Sequence, residues 1–326
     1  MKKGFLYLAL VLAMNWQAKA ATIYVKVGAT GNGTSWATAT GDLQNALQTA
    51  TIGDEIWVSK GVYFPTTDNN RTISFHIKNG VALYGGFAGS ETTIGERIIK
   101  ANYSVLSGEI GTKQKTDNTF NVLYTAHATK TTIIDGFIIT GGYAGGNETS
   151  GSRFASGGGM YNEGGVKGNQ SSPTIKNCRF IENIARDGGA LYNNAANGGT
   201  CKPTLVNCTF QDNKAFLGGG AIFNNGEEKG KCLPTIIANN FSRNTAGFGG
   251  AIFNYGKNGE CINHIEGAKF TNNKAMIQGG GIFNLGTNGV SQSKLINCKF
   301  IENTAPKGST VANSQAKPSI ANEVRI

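Results

Sequence analysis

From about residue 155 onward the apolar and polar residues recur in columns, with none of the 3.6-residue spacing of a helix. A block of the form Gly-Gly-(Ala/Gly)-(Ile/Leu/Met)-(Phe/Tyr)-Asn ends at Asn162, Asn193, Asn224, Asn254 and Asn284, and a decayed copy ends at Asn313. The spacings are 31, 31, 30, 30 and 29 residues. A second mark, Phe-x-x-Asn, begins at Phe180, Phe210, Phe241, Phe270 and Phe300. Five residues before each Phe stands Ile or Leu (Ile175, Leu205, Ile236, Ile265, Leu295), and five after it stands Ala. Three before it stand Asn177, Asn207, Ala238, Gly267 and Asn297, mostly residue types that accept positive φ.

Short apolar runs punctuated this way predict β-strands joined by tight turns. A chain that returns to the same column every 30 residues or so forms one coil of an all-β parallel β-helix per return. Equivalent residues then stack about 4.8 Å apart, and stacked Asn side chains can hydrogen-bond along the axis as a ladder. Within the Gly-Gly block, if Met160, Leu191, Ile222, Ile252 and Ile282 point inward, strand alternation sends the following Asn inward and the rings of Tyr161, Tyr192, Phe223, Phe253 and Phe283 outward, as an exposed stripe or under the loops that follow each Asn; the alternative places these rings inside.

The amino-terminal part is less regular. Leu43, Ala46, Leu47 and Ala50 mark one face of a short helix, which suits a cap over the first coil. Strands are expected at Glu55–Val58, Phe75–Ile77, Val81–Tyr84, Phe120–Tyr124 and Ile133–Ile139. The organisation read here is an export signal over residues 1–20, the cap and irregular first coils over 21–130, and regular coils over 131–326. The last two form one continuous domain of roughly nine coils.

The export signal rests on Lys2 and Lys3, the apolar run Phe5 to Met14, and the cleavage-type triplet Ala18-Lys19-Ala20. No later segment reads as a transmembrane helix. The chain has 30 Lys and Arg against 20 Asp and Glu, a formal charge of +10. Removing Lys2, Lys3 and Lys19 leaves +7, spread without a basic run. That excludes a nucleic-acid partner and leaves a solvated surface or attraction to an acidic glycan or membrane. Forty-seven glycines in register with Ile and Phe indicate ordered turns.

Candidate chemistry is sparse. Cys178, Cys208 and Cys298 share an inward column and read as core. Cys201, Cys232 and Cys261 share a column in or near a loop, one coil apart, either as stacked thiols or as a disulfide. Glu182, Asp212 and Arg243 stack in successive coils, the best arrangement for a sugar-cleaving or cation-binding site, or a plain mixed-charge surface column. The cysteine spacing gives no zinc site, and no cofactor is expected. The three His occupy unrelated columns.

Thr34-Ser-Trp-Ala37, Gly53-Asp-Glu-Ile-Trp-Val58, Gly80-Val-Ala-Leu-Tyr-Gly-Gly-Phe87 and Asp135-Gly-Phe-Ile-Ile-Thr-Gly-Gly142 resemble bacterial secreted right-handed β-helix proteins. The paired Gly-Gly-Ala-(Ile/Leu) and Phe-x-x-Asn marks resemble the repeats of polymorphic outer membrane proteins, which are surface adhesins. The resemblance implies a pectin-lyase-like, right-handed single-stranded β-helix. It also implies a secreted or outer-surface destination, with the periplasm as the alternative. The function expected is non-catalytic: adhesive, structural or glycan-binding, with a polysaccharide or a cell-surface glycoprotein as partner. The alternative is a polysaccharide lyase or glycoside hydrolase, since that fold also hosts such enzymes. On the non-catalytic reading the outward rings are the binding residues.

Overall fold

The computed structural model describes residues 20–146 and 149–315, and the backbone alone of residues 320–325. The export signal expected over residues 1–20 lies outside the described residues, Ala20 apart.

The chain winds as a parallel β-helix of about ten turns. Its strands fall into three sheets of 20, eight and five strands. One coil shows the plan. Thr204–Val206 and Thr209–Gln211 lie in the large sheet, Lys214–Gly218 in the five-stranded sheet, and Ile222–Asn225 in the eight-stranded sheet. Lys231–Cys232 then returns the chain to the large sheet. Equivalent residues pair across coils in parallel, Leu205 with Ile236 and Phe223 with Phe253.

The turns follow from the polar columns. Asn177, Asn207, Ala238, Gly267 and Asn297 all have φ between 51° and 62°, the left-handed conformation their column suggests. The Gly pair has two separate causes. The first Gly of each block turns with positive φ, 61° at Gly188 and 65° at Gly219. A Cβ on the second would meet the backbone oxygen of the next coil, 2.3 Å from Gly220 at Gly189 and 2.2 Å from Gly250 at Gly220.

The interior is one continuous core of Ile, Leu, Phe and Cys. Phe180, Phe210, Phe241, Phe270 and Phe300 stack in it at 4.6–5.0 Å with ring planes 5–7° apart. Two amide ladders flank them. Asn162, Asn193, Asn224, Asn254, Asn284 and Asn313 are joined by Nδ2-to-Oδ1 bonds of 2.7–3.0 Å. In the second ladder, Asn183, Asn213, Asn244 and Asn273 each donate to the Asn of the next coil and to a carbonyl of the previous one, and Asn303 donates to the previous coil. Asn244, for example, donates to Asn273 Oδ1 at 2.9 Å and to the Phe210 oxygen at 2.9 Å.

At the amino-terminal end the helix Leu43–Thr49 is capped by Asp42, whose side chain accepts from the Asn45 amide. Its apolar face joins the core beside Val25, Ile56 and Phe75. Strands form at Glu55–Ser59, Phe75–Ile77 and Ala82–Phe87. The strand expected at Phe120–Tyr124 lies at Leu123–Ala126, because Thr119 and Asn121 spend their side chains on neighbouring carbonyls. The single strand expected at Ile133–Ile139 is two, Ile133–Asp135 and Phe137–Thr140, with the chain turning at Gly136.

Cutting one amide ladder orphans its neighbours. In Asn244→Ala, the Asn213 backbone and side-chain N–H groups lose their acceptor and the Phe210 carbonyl loses its donor. The expected loss is about 2–4 kcal/mol, read as a lower denaturant midpoint with an unchanged slope.

Candidate functional site

The outward ring column lies on the outer face of the eight-stranded sheet. Met160, Leu191, Ile222, Ile252 and Ile282 enter the core, whereas Tyr161, Tyr192, Phe223, Phe253 and Phe283 form a separate cluster. Alternation therefore holds. The rings nevertheless are not an open stripe, since each is only 1–5% exposed.

What covers them changes along the axis. At the amino-terminal end, Tyr161 donates to the Gly151 carbonyl at 2.9 Å, and the Arg153 guanidinium sits 3.9 Å over the ring of Tyr124. Asn194 Nδ2 donates to the Tyr161 hydroxyl at 3.1 Å, and Asn225 Nδ2 to the Tyr192 hydroxyl at 2.9 Å. From Phe223 onward the column has no hydroxyl to satisfy. There the neighbouring column, which runs Glu163, Asn194, Asn225, Tyr255, Leu285 and Ser314, turns from polar to apolar.

The result is a cleft of about 570 Å³ floored by Phe223, Phe253 and Phe283. Leu217, Phe248, Tyr255 and Leu285 form its walls. Gly218 makes room for it, because a Cβ there would lie 2.1 Å from the Phe253 ring. The rings are not packed like those of the core. Phe223 and Phe253 are tilted by 59°, Phe253 and Phe283 by 38°. Among the described residues, Ser150, Glu227, Gln278 and Ser314 supply the polar lining, and Glu227 is its one charged side chain. Sequence columns did not reveal Glu227, because it sits in the loop after Asn225, outside the repeat.

Asp187 lies beside this region. Its Oδ2 accepts from the Ser150 hydroxyl at 2.5 Å, while Oδ1 has no hydrogen-bond partner among the described residues. Burial, the largest influence, raises its pKa. A raised carboxyl pKa stabilises the fold below the ordinary carboxylate range, and that stability is lost as pH rises through the raised value. Asp187→Asn is therefore expected to melt higher than the parent at pH 8, with the difference closing toward pH 3 in parallel thermal scans.

The charged column is differently placed. Glu182, Asp212, Arg243, Asn272 and Glu302 occupy a left-handed turn position, with φ of 51–55°. Arg243 donates to both carboxylate oxygens of Asp212, at 2.8 and 2.7 Å, and holds its pKa down. Glu182 faces Lys115 at 3.5 Å, both largely exposed. The two carboxylates are each turned to a base, not to a shared centre. Among the described residues, no group of three or more His, Cys, Asp or Glu is arranged to hold a metal.

All six cysteines are buried free thiols. Cys201, Cys232 and Cys261 lie on paired strands, not in a loop, between Ser171 and Ser291 in the same column. Their common role is donation. Cys232 and Cys261 point at the carbonyls of Asn193 and Asn224 at 3.9 and 3.5 Å, as the Ser291 hydroxyl does at Asn254 at 3.0 Å. The other column behaves alike. Cys208 and Cys298 approach the Ile175 and Ile265 carbonyls, and Asn239 donates to Leu205 in their stead. Burial pushes the Cys208 thiol up to about 12. In a thiol titration, the native protein is expected to be unreactive and the unfolded protein to release six equivalents; a count of four would mean a bridge in the Cys201 column.

The family model of the Chlamydia polymorphic membrane protein (Chlamydia_PMP) repeat matches residues 207–225, from the Asn before one Phe-x-x-Asn through the Gly-Gly block. No curated protein and no solved structure matches the chain. Repeat and coil together make this a polymorphic-membrane-protein-like β-helix repeat protein. Among the described residues, no helix is long and apolar enough to cross a membrane.

Proposed function

We propose that the protein is a non-catalytic β-helix of the outer surface that binds a saccharide-bearing partner through the aromatic cleft. The observation that carries this reading is the cleft itself. The half-buried Phe248, Tyr255 and Leu285 give it an apolar wall over the buried ring column, and a few polar groups rim it, the combination that suits the C–H faces and hydroxyls of a pyranose. The repeat match supports the surface setting, since that family is named for membrane proteins. The regular coil supplies a stiff scaffold on which such a cleft keeps its shape. The pairing of Asp212 with Arg243 speaks for the non-catalytic reading. A general acid needs a raised carboxyl pKa, and this one is lowered.

The test is a glycan array probed with the full chain, followed by titration of the hits against Tyr255→Ala and Leu285→Ala. Both residues line the cleft and are half-buried, so the fold should survive. Binding at least tenfold weaker in each, with unchanged circular dichroism, is expected; binding unaffected by both would sink the reading. Release of reducing ends or unsaturated products from any hit, abolished by Asp212→Asn, would favour the enzymatic alternative.

A further inference from the structure

We infer that the sugar taken by the aromatic cleft carries a protonated amine. The inference rests on the saccharide-binding reading above and narrows it to a class of ligand. The cleft's electrostatics run against those of the whole chain. A chain with a formal charge of +10 should draw acidic glycans, yet among the described residues no Lys or Arg lines the cleft. Among the same residues its one charged side chain is Glu227, which makes no ion pair with any of them.

Glu227 is also held in place. Asn225 Nδ2 donates to Glu227 Oε1 at 3.1 Å while binding the Tyr192 hydroxyl, and the Asn225 side-chain oxygen accepts from the Glu227 backbone N–H at 3.0 Å. Its negative charge reaches the cleft wall, where it helps raise the pKa of the Tyr255 phenol, behind the larger influence of burial.

The rings add to the same preference. Phe248 and Tyr255, the two half-buried rings of the lining, pack against the buried Phe253 at centroid separations of 6.1 and 6.0 Å. An aromatic ring face attracts a cation. An ammonium on a sugar ring meets ring faces and a carboxylate together, whereas a uronate meets the same carboxylate as a like charge.

Calorimetric titration of the full chain with three tetrasaccharides tests this: β-1,4-linked glucosamine, its fully N-acetylated counterpart, and oligogalacturonate, at pH 6 and low salt. The deacetylated tetramer should bind at least tenfold more tightly than the acetylated one, and oligogalacturonate should not bind. Glu227→Gln keeps the Oε1 acceptor but removes the charge, and should erase the tenfold preference of the free amine over the acetylated tetramer. If the acetylated tetramer binds as well as the free amine, if oligogalacturonate binds best, or if Glu227→Gln retains the preference, the amine assignment falls while saccharide binding stands. If no saccharide binds, on the array or here, both fall.

Discussion

Every coil depends on buried amides being satisfied along the axis. An Asn side chain in the core has two donors and an acceptor that water cannot reach, and leaving them unpaired costs more than the bond itself yields. Here each Asn meets the Asn of the next coil at 2.7–3.2 Å in two parallel ladders. The coils must then keep one length and one register, because a one-residue slip would break both ladders and turn the Ile and Phe columns out of the core. The Gly pair, the left-handed turns and the cysteine columns all serve that constraint. Most of the thiols follow it, since Cys, Ser and Asn at these positions aim a donor at a carbonyl of the coil before, Ala268 being the one position without a donor.

The same accounting shapes the outer face. Where the outward ring is Tyr, the neighbouring column offers Asn to its hydroxyl, as Asn194 does for Tyr161 and Asn225 for Tyr192. Where the ring is Phe, the amide has nothing to bind, and Tyr255 and Leu285 replace it. Two columns thus change polarity together, and the change marks where the solenoid stops being covered and becomes a cleft. Inside, the Phe ladder is stacked within a few degrees; outside, Phe223 and Phe253 tilt by 59° beneath the cleft.

The charged column shows how a repeat can mislead. Glu182, Asp212 and Arg243 align in successive coils, as a catalytic set would, but their backbone sits in a left-handed turn that carries each side chain to the surface. Arg243 then takes up Asp212 and Lys115 approaches Glu182, so neighbours in the column do not become partners in chemistry.

From sequence alone, the period of the Gly-Gly and Phe-x-x-Asn marks determined the coil, its parallel pairing and its inward columns, because alternation and turn chemistry are local rules. The helix Leu43–Thr49 was equally legible, from four apolar residues on one face. Whether the outward rings are exposed or covered was left open by the sequence. It depends on the segment around Gly151 and on loop residues with no column of their own. Glu227 and Asp187 acquired their meaning only in three dimensions, one through the cleft it lines, the other through the water it lost. A repeat specifies what every coil shares. What differs between coils, and so where a ligand could bind, was decided by the packing of irregular segments against a regular wall.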